Sequence, residues 1–269
     1  MKALNFFLFS IFSYVSILNA TEISNKPGFN ALEDVTIDRS KETGEKMTDK
    51  KHNELTAIVI GATGAVGSDL VKQLRDDNSF KNVEVFARRN IYFDHPKFHV
   101  HVIDFEHSET WKNKVKGDVL FSCLGTTIKQ AGSEEAQWKI DHDYQLGFAK
   151  AAHENGVKKY ILVSSVGADK DSRIFYLKMK GTLEENVKKL GIPSVIILQP
   201  PGLIRKNSDR FGEKFLINVL QFANSLGLFK DQKPMKTESV AAAMINIAKS
   251  DFEGQRTISA QNILDYYAQ

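Results

Sequence analysis

The stretch Leu55–Ile60 (LTAIVI) runs directly into Gly61-Ala-Thr-Gly64-Ala-Val-Gly67, and the following Val66–Leu74 (VGSDLVKQL) carries apolar residues at helical spacing. This strand–turn–helix constrains the fold more than any other feature of the chain. A β-branched run without apolar–polar alternation signals a strand buried on both faces, as in a parallel sheet. The three glycines have separate duties: Gly61 permits a sharp turn, Gly64 lets backbone N–H groups approach a pyrophosphate, and Gly67 lets the helix pack on the strand. Thr63, Ala65 and Val66 complete the same turn, and the unpaired N–H groups of the helix N-terminus face the phosphates. Three glycines alone say little. The strand before them and the helix after them supply the context that a dinucleotide-binding motif requires.

Strands and helices keep alternating downstream. VEVFA (Val83–Ala87), HVHVI (His99–Ile103), DVLFSC (Asp118–Cys123), YILVSS (Tyr160–Ser165) and PSVIIL (Pro193–Leu198) read as further strands. A long helix is expected over Glu134–Gly156, with Gly156 at its C-cap, and another ends at Leu190. Short links between such elements give a doubly wound α/β fold with a parallel sheet, the Rossmann architecture, as a single domain over residues 55–269. Past Pro200 the pattern loosens into a loop with Arg205, Lys206 and Arg210, helices over Phe211–Leu226 and Glu238–Ala248, and a short strand near Arg256–Ser259. We read this tail as a small C-terminal, substrate-facing lobe. No repeat of solenoid period is present.

Composition removes several function classes. The chain has 36 Lys and Arg against 33 Asp and Glu, a net charge of +3, and no basic run interleaved with aromatics, so no nucleic-acid partner is expected. The one cysteine, Cys123, rules out an internal disulfide and a cysteine-built zinc site. A mean hydropathy of −0.29 rules out a multi-span membrane protein.

The front of the chain differs from the rest. Phe6–Leu18 is an apolar run behind Lys2, too short to cross a bilayer as a helix but matching the core of a signal peptide or an anchor over residues 1–20. Ala20 is a candidate cleavage site, although Leu18 stands where a small residue is preferred. Residues 21–54 are polar and without periodicity, which reads as a disordered tether. Met47, shortly before the first strand, is a second candidate start of the working chain.

The end of the second strand normally selects the nucleotide. An acid there binds the ribose 2′-hydroxyl of NAD, and an arginine accommodates the 2′-phosphate of NADP. Here Arg88-Arg89 follow VFA and no acid occurs until Asp94, so NADP (NADPH) is expected. Asp104-Phe105, closing the third strand, lie where an adenine amino group can be bound. A secretory compartment poor in NADPH suits such a protein badly, so a cytoplasmic location is expected, with residues 1–20 as a membrane tether or secretory signal in the alternative.

Ser164-Ser165 end the fifth strand, and Tyr176-Leu-Lys-Met-Lys180 opens the next helix. Positions i and i+4 share a helical face, which puts the Lys180 ammonium beside the Tyr176 phenol. Free tyrosine ionises near pH 10, and a neighbouring cation lowers that value. A serine hydroxyl holding a carbonyl oxygen while the phenol delivers a proton is then a workable reductase site.

With these residues in place, the chain resembles an atypical short-chain dehydrogenase/reductase. CLGTT (Cys123–Thr127), SSVGADKDS (Ser164–Ser172), FYLKMKG (Phe175–Gly181) and QPPGL (Gln199–Leu203) resemble the Tat-interacting-protein oxidoreductase group, from about Leu55 to the C-terminus. The resemblance implies NADPH binding and a Ser, Tyr and Lys catalytic set drawn from Ser164, Ser165, Tyr176 and Lys180, with Tyr176 and Lys180 also touching the cofactor. It further implies that Leu124, Gly125 and Thr126 line the cofactor and that Pro201-Gly202 lie beside the nicotinamide. Two positions depart from the pattern: Asp141 stands where many relatives carry a relay asparagine, and Pro200 where an arginine is common.

Other residues have plainer readings. His95, His99, His101 and His107 lack acid or cysteine partners at ligand spacing, so no metal is expected. Cys123 reads as a small buried hydrophobe, and Trp138 and Phe148 as core. Phe211, Phe215, Phe222 and Phe229 suit core, a substrate wall or a dimer face equally. Two functions follow. One is an NADPH-dependent reductase of a small carbonyl compound. The other is an NADPH-sensing regulatory or scaffold protein with a protein partner and little turnover. Monomer and homodimer both stay open.

Overall fold

The computed structural model describes residues 54–204 and 234–267. The apolar segment 1–20, the tether to residue 53, the Met47 start, Arg205, Lys206, Arg210, the Phe211–Leu226 helix and its four phenylalanines lie outside the described residues.

A seven-stranded, wholly parallel sheet carries the domain. Its strands are β1 (Leu55–Ile60), β2 (Phe80–Ala87), β3 (Phe98–Val102), β4 (Val119–Ser122), β5 (Lys159–Val163), β6 (Ser194–Gln199) and, last in the chain, β9 (Gly254–Ser259). They lie in the order β3-β2-β1-β4-β5-β6-β9. A separate parallel pair joins β7 (Leu203–Ile204) to β8 (Met235–Lys236). The direction of strand order reverses between β1 and β4, and in such sheets the crevice outside the strand ends at that reversal is where a ligand binds.

Both faces of the sheet are covered, which is why β1 shows no alternation. Ala57 and Val59 face one core with Leu70 and Leu74 of α1 (Ala65–Asp76) and Val240 and Met244 of α7 (Thr237–Lys249). Ile58 and Ile60 face the other, with Phe148 of α5 (Tyr144–Glu154) and Leu183 and Val187 of α6 (Phe175–Lys188). Trp111 stacks on Phe148 with ring centroids 4.2 Å apart. Its indole N–H reaches the Asp104 carbonyl at 2.9 Å, so the ring is buried without a stranded donor. The short helix α2 (Ser108–Trp111) packs on this side, α3 (Ile128–Ala131) and α4 (Glu134–Trp138) lie in the link between β4 and α5, and α8 (Ala260–Ile263) follows β9.

The long helix expected over Glu134–Gly156 is interrupted. A π turn, Lys139–Asp143, separates α4 from α5. The Gln145 amide supplies a local cause. It donates to the Asp141 carbonyl at 2.6 Å, and its oxygen accepts from Ser122 Oγ at 2.7 Å. A side chain inserted into the helical ladder is a known route to such a turn. Gly156 follows α5 with φ +77°, the left-handed conformation that closes a helix.

Two polar side chains tie α7 to α1 and to the sheet. Thr237 Oγ1, at the start of α7, donates to buried Asp69 of α1 at 2.6 Å. At the other end of α7, Lys159 Nζ donates to the carbonyls of Ile247 (3.2 Å), Ala248 (3.0 Å) and Ser250. A cation there is favoured by the carbonyls exposed at a helix C-terminus.

Candidate active site

The glycine turn sits at the C-terminal end of β1. Gly61 has φ +82°, and a Cβ on it would lie 2.4 Å from the Cys123 carbonyl carbon and oxygen. A side chain at Gly67 would meet the Gly61 carbonyl oxygen at 2.1 Å. The turn is therefore pressed against β4 on one side and against its own helix on the other. Gly64 is the N-cap residue of α1, with no side-chain cap and no acid in the first turn. Its N–H is used internally, donating to the Gly61 carbonyl at 2.9 Å. Thr63 is exposed, Ala65 half-buried and Val66 buried. An uncapped helix start without carboxylates is the electrostatic setting that an anionic phosphate needs, so these residues fit a dinucleotide.

Arg88 and Arg89 follow β2 directly, and both are exposed. Neither guanidinium is bonded to another described residue. Asp104 is exposed, with its carboxylate accepting the Glu106 N–H at 2.9 Å. Phe105 is buried against Tyr144 and Phe148, so it shapes the wall rather than lining it openly.

Leu124, Gly125 and Thr126 leave β4 beside Gly61, Gly125 being exposed and the other two half-buried. Asp141, in the π turn, anchors this loop by accepting the Thr126 N–H at 2.8 Å, and Gln137 Nε2 donates to the Thr126 carbonyl at 3.0 Å. The carboxyl of Asp141 is almost wholly buried. Burial raises its pKa, against the opposing pull of Lys180 and of the Thr126 and Gln137 donors.

Tyr176 and Lys180 stand one turn apart on α6. Tyr176 is half-buried and Lys180 is 3% exposed. The Lys180 ammonium makes no hydrogen bond or ion pair to another described residue, although it acts electrostatically on Asp141, Glu184 and Cys123. Burial pushes the Cys123 thiol up to about 12, so this side chain is an inert filler of the wall.

The two serines are placed differently. Ser164 is buried and its hydroxyl donates to Glu184 Oε1, while Ser165 is half-buried and reaches only the neighbouring Val166 carbonyl at 3.2 Å. Gln199, at the end of β6, donates to both Glu184 oxygens at 3.0 and 3.1 Å. Sequence reasoning passed over Glu184, whose signal was its spacing of four from Lys180 and eight from Tyr176. Pro201 and Gly202 are buried, and the Gly202 carbonyl accepts the Met235 N–H at 2.8 Å, a bond of the β7–β8 pair. Beside the N-terminus of α6, Trp138 and Phe175 form the aromatic side of a cavity rimmed by Glu134, Glu135, Lys139 and Asp143.

Comparisons with known proteins bear on the family and the fold. Residues 61–251 match the family model described as NAD(P)H-binding. The mitochondrial FMP52 protein of Candida albicans is 33% identical over 208 residues, covering 75% of this chain and 91% of that protein. The mitochondrial FMP52 protein of Saccharomyces cerevisiae is 37% identical over 164 residues, covering 59% and 71%. Among solved structures, the Helicobacter pylori ADP-L-glycero-D-manno-heptose-6-epimerase superposes with a TM-score of 0.59 at 18% identity, over 78% of each chain. The oxidoreductase ylbE from Lactococcus lactis also gives 0.59, at 16% identity, over 79% of this chain and 95% of its own. These two show the Rossmann fold.

Two expectations change. The relatives compared carry the name FMP52 and not that of the Tat-interacting-protein group, so what is shown is the NAD(P)H-binding family and its Rossmann fold. Their names also say mitochondrial, which overturns the cytoplasmic expectation. Cofactor supply argues against a secretory compartment but does not separate the cytoplasm from other compartments that hold the nucleotide. From the glycine turn, the parallel sheet and the family match together, the chain belongs to the NAD(P)H-binding family, alongside the FMP52 proteins.

Proposed function

We propose that the chain is an NADPH-dependent oxidoreductase that reduces a small carbonyl compound. The observation that carries this reading is Lys180, a buried lysine on the same helical face as Tyr176 whose ammonium has no described protein partner. A charge taken out of water without a partner is costly, and a substrate or cofactor group arriving there would offset that cost. When bound, the reduced nicotinamide supplies a hydride. Lys180 holds a positive charge beside the phenol, Tyr176 gives its proton to the carbonyl oxygen, and a serine hydroxyl orients that oxygen. The Thr126 loop, tied down by Asp141, and the buried Pro201-Gly202 segment wall the site.

NADPH is favoured over NADH by Arg88 and Arg89, two guanidinium groups with no partner among the described residues, where an acid would serve NAD. The open depression between Trp138 and Phe175, rimmed by Glu134, Glu135, Lys139 and Asp143, offers a substrate aromatic surface beside charged groups. The relatives' names support a mitochondrial location for this chain, with residues 1–54 as leader and tether ahead of the domain.

The test is calorimetric titration with NADPH and NADH, followed by NADPH oxidation against a panel of ketones, aldehydes and quinones. Changing both Arg88 and Arg89 to Ala is expected to erase the preference for NADPH. Tyr176→Phe is expected to lower turnover ~10²–10⁴-fold while NADPH still binds. Equal affinity for the two nucleotides in the unaltered protein refutes the arginine reading. Turnover untouched by Tyr176→Phe refutes the reductase.

A further inference from the structure

Tyr176, Lys180 and Glu184 occupy positions i, i+4 and i+8 of α6, so all three share one helical face. Two of them have a plain place in the proposed chemistry. Glu184 has none, yet it is 5% exposed and carries the most heavily bonded buried carboxyl among the described residues. Its donors come from two different strands. Ser164 lies just past β5, and Gln199 is the last residue of β6.

The segment around Ser164 and Ser165 is fixed from three sides. Ser164 N–H donates to the Leu198 carbonyl at 2.8 Å and Val166 N–H to the Pro200 carbonyl at 3.1 Å, which prolongs the β5–β6 pairing beyond the strands. The loop that follows leans on α6, where Asp169 N–H donates to the Leu177 carbonyl at 3.1 Å. A Cβ at Gly181 would come within 2.3 Å of the Asp169–Lys170 peptide, so loop and helix touch backbone to backbone. With backbone and loop held this way, the hydroxyl of Ser164 is committed to Glu184. The Ser165 hydroxyl has only a long bond to its neighbour's carbonyl.

We infer that Glu184 is a positioning residue of the candidate site: by taking the Ser164 hydroxyl and the Gln199 amide, it fixes the ends of β5 and β6 against the Tyr176–Lys180 face and leaves Ser165 as the hydroxyl that orients the substrate oxygen. The inference rests on the reductase reading and divides the two serines between a structural and a substrate-facing duty. Burial pushes the Glu184 carboxyl up, while Gln199, Ser164 and Lys180 pull it down, in keeping with a group held by its donors rather than by water.

The test uses the full chain and a reactive diketone, 9,10-phenanthrenequinone, as substrate probe, with NADPH binding followed in parallel. Ser165→Ala is expected to lower kcat ~10²–10³-fold, the cost of one lost donor to a reacting oxygen, with NADPH affinity unchanged. Ser164→Ala and Glu184→Ala are expected to lower kcat by about tenfold each, and about tenfold together, because the two groups act as one unit. Glu184→Gln still accepts from Ser164, and Gln199 can turn its amide to match, so this variant is expected to recover most of kcat. It also covers the case in which Glu184→Ala fails to fold. The same non-additivity is expected in melting temperature, where Glu184→Ala and Ser164→Ala couple and Glu184→Ala and Ser165→Ala do not, while Glu184→Gln, which keeps the bond, stays near the parent. An equal or larger loss from Ser164→Ala than from Ser165→Ala, or additive losses for Ser164 and Glu184, overturns the inference alone. An unaltered protein that binds NADPH but reduces neither this probe nor the carbonyl panel overturns the reductase reading, and the division of the serines with it.

Discussion

Substituting Gly67→Ala sets two ordinary effects against each other. In a solvent-exposed helix, replacing glycine by alanine stabilises by about 1 kcal/mol. At Gly67 the added methyl would sit 2.1 Å from the Gly61 carbonyl oxygen, 2.8 Å from its carbon and 3.1 Å from the Ala62 Cα. The oxygen cannot swing aside freely, because it accepts the Gly64 N–H at 2.9 Å and belongs to a residue held at φ +82°. Overpacking by one methyl costs about 1–3 kcal/mol where neighbours can adjust, and rigid backbone neighbours put this site at about 3 kcal/mol. The net loss is then about 2 kcal/mol, or about 4–8 °C in melting temperature for a domain of this size. Gly64→Ala is the control. Its φ of −72° suits any residue and its new Cβ would lie 3.1 Å from the same oxygen, so a shift within about 2–4 °C is expected. Differential scanning calorimetry of the two variants beside the parent protein decides the matter. A Gly67→Ala protein that melts with or above its parent would falsify the close-packing account of the turn.

Three further outcomes are expected. Lys159→Met removes the cation that serves the carbonyls at the end of α7, and should cost about 1–2 kcal/mol in chemical denaturation; an unchanged midpoint would show that water serves those carbonyls equally well. Asp141 has a raised folded pKa, so the native protein loses stability as pH climbs from the unfolded carboxylate range near 4 through that raised value. Asp141→Asn has no such loss, and its melting temperature relative to the parent should therefore rise between pH 4 and pH 7, whereas a constant or falling difference contradicts the burial of that carboxyl. Cys123, with its thiol pushed up to about 12, should resist iodoacetamide at pH 8 in the folded protein and react on denaturation; ready labelling of the native state, followed by mass spectrometry, would refute its burial.

Much of the fold was legible because its signals are local. Leu55–Ile60 matched the strand to the residue, and the burial of Ala57 and Val59 on one face and Ile58 and Ile60 on the other explains the unbroken apolar run. The other strands were placed within a few residues, and β2 begins three residues before the expected Val83 because Phe80 starts its pairing with β1. What escaped depends on contacts distant in sequence. Nothing in Lys139–Asp143 marks a π turn, since the Gln145 amide that bonds the Asp141 carbonyl is itself held by Ser122 on β4, 23 residues away. The β7–β8 pair is two residues on each side, too short for any periodicity. At the site, Tyr176 and Lys180 could be paired by helix geometry alone. The separate settings of Ser164 and Ser165 could not, because adjacent serines read alike until Glu184 is brought to one of them.

The π turn also acts as a phase shifter. A regular helix advances about 100° per residue, and a π turn accommodates one residue more than the regular helix would. The side chains of α4 and α5 are thereby set out of step by roughly that angle. Asp141 faces the Thr126 loop while Phe148, further along, stays aligned with the sheet core. Deleting a single residue from 139–143 would bring the two segments back into one continuous spiral. Either the anchor of the Thr126 loop or the aromatic stack on Trp111 would then rotate away, so a change of one residue in length at this point would be felt at the candidate site or in the core.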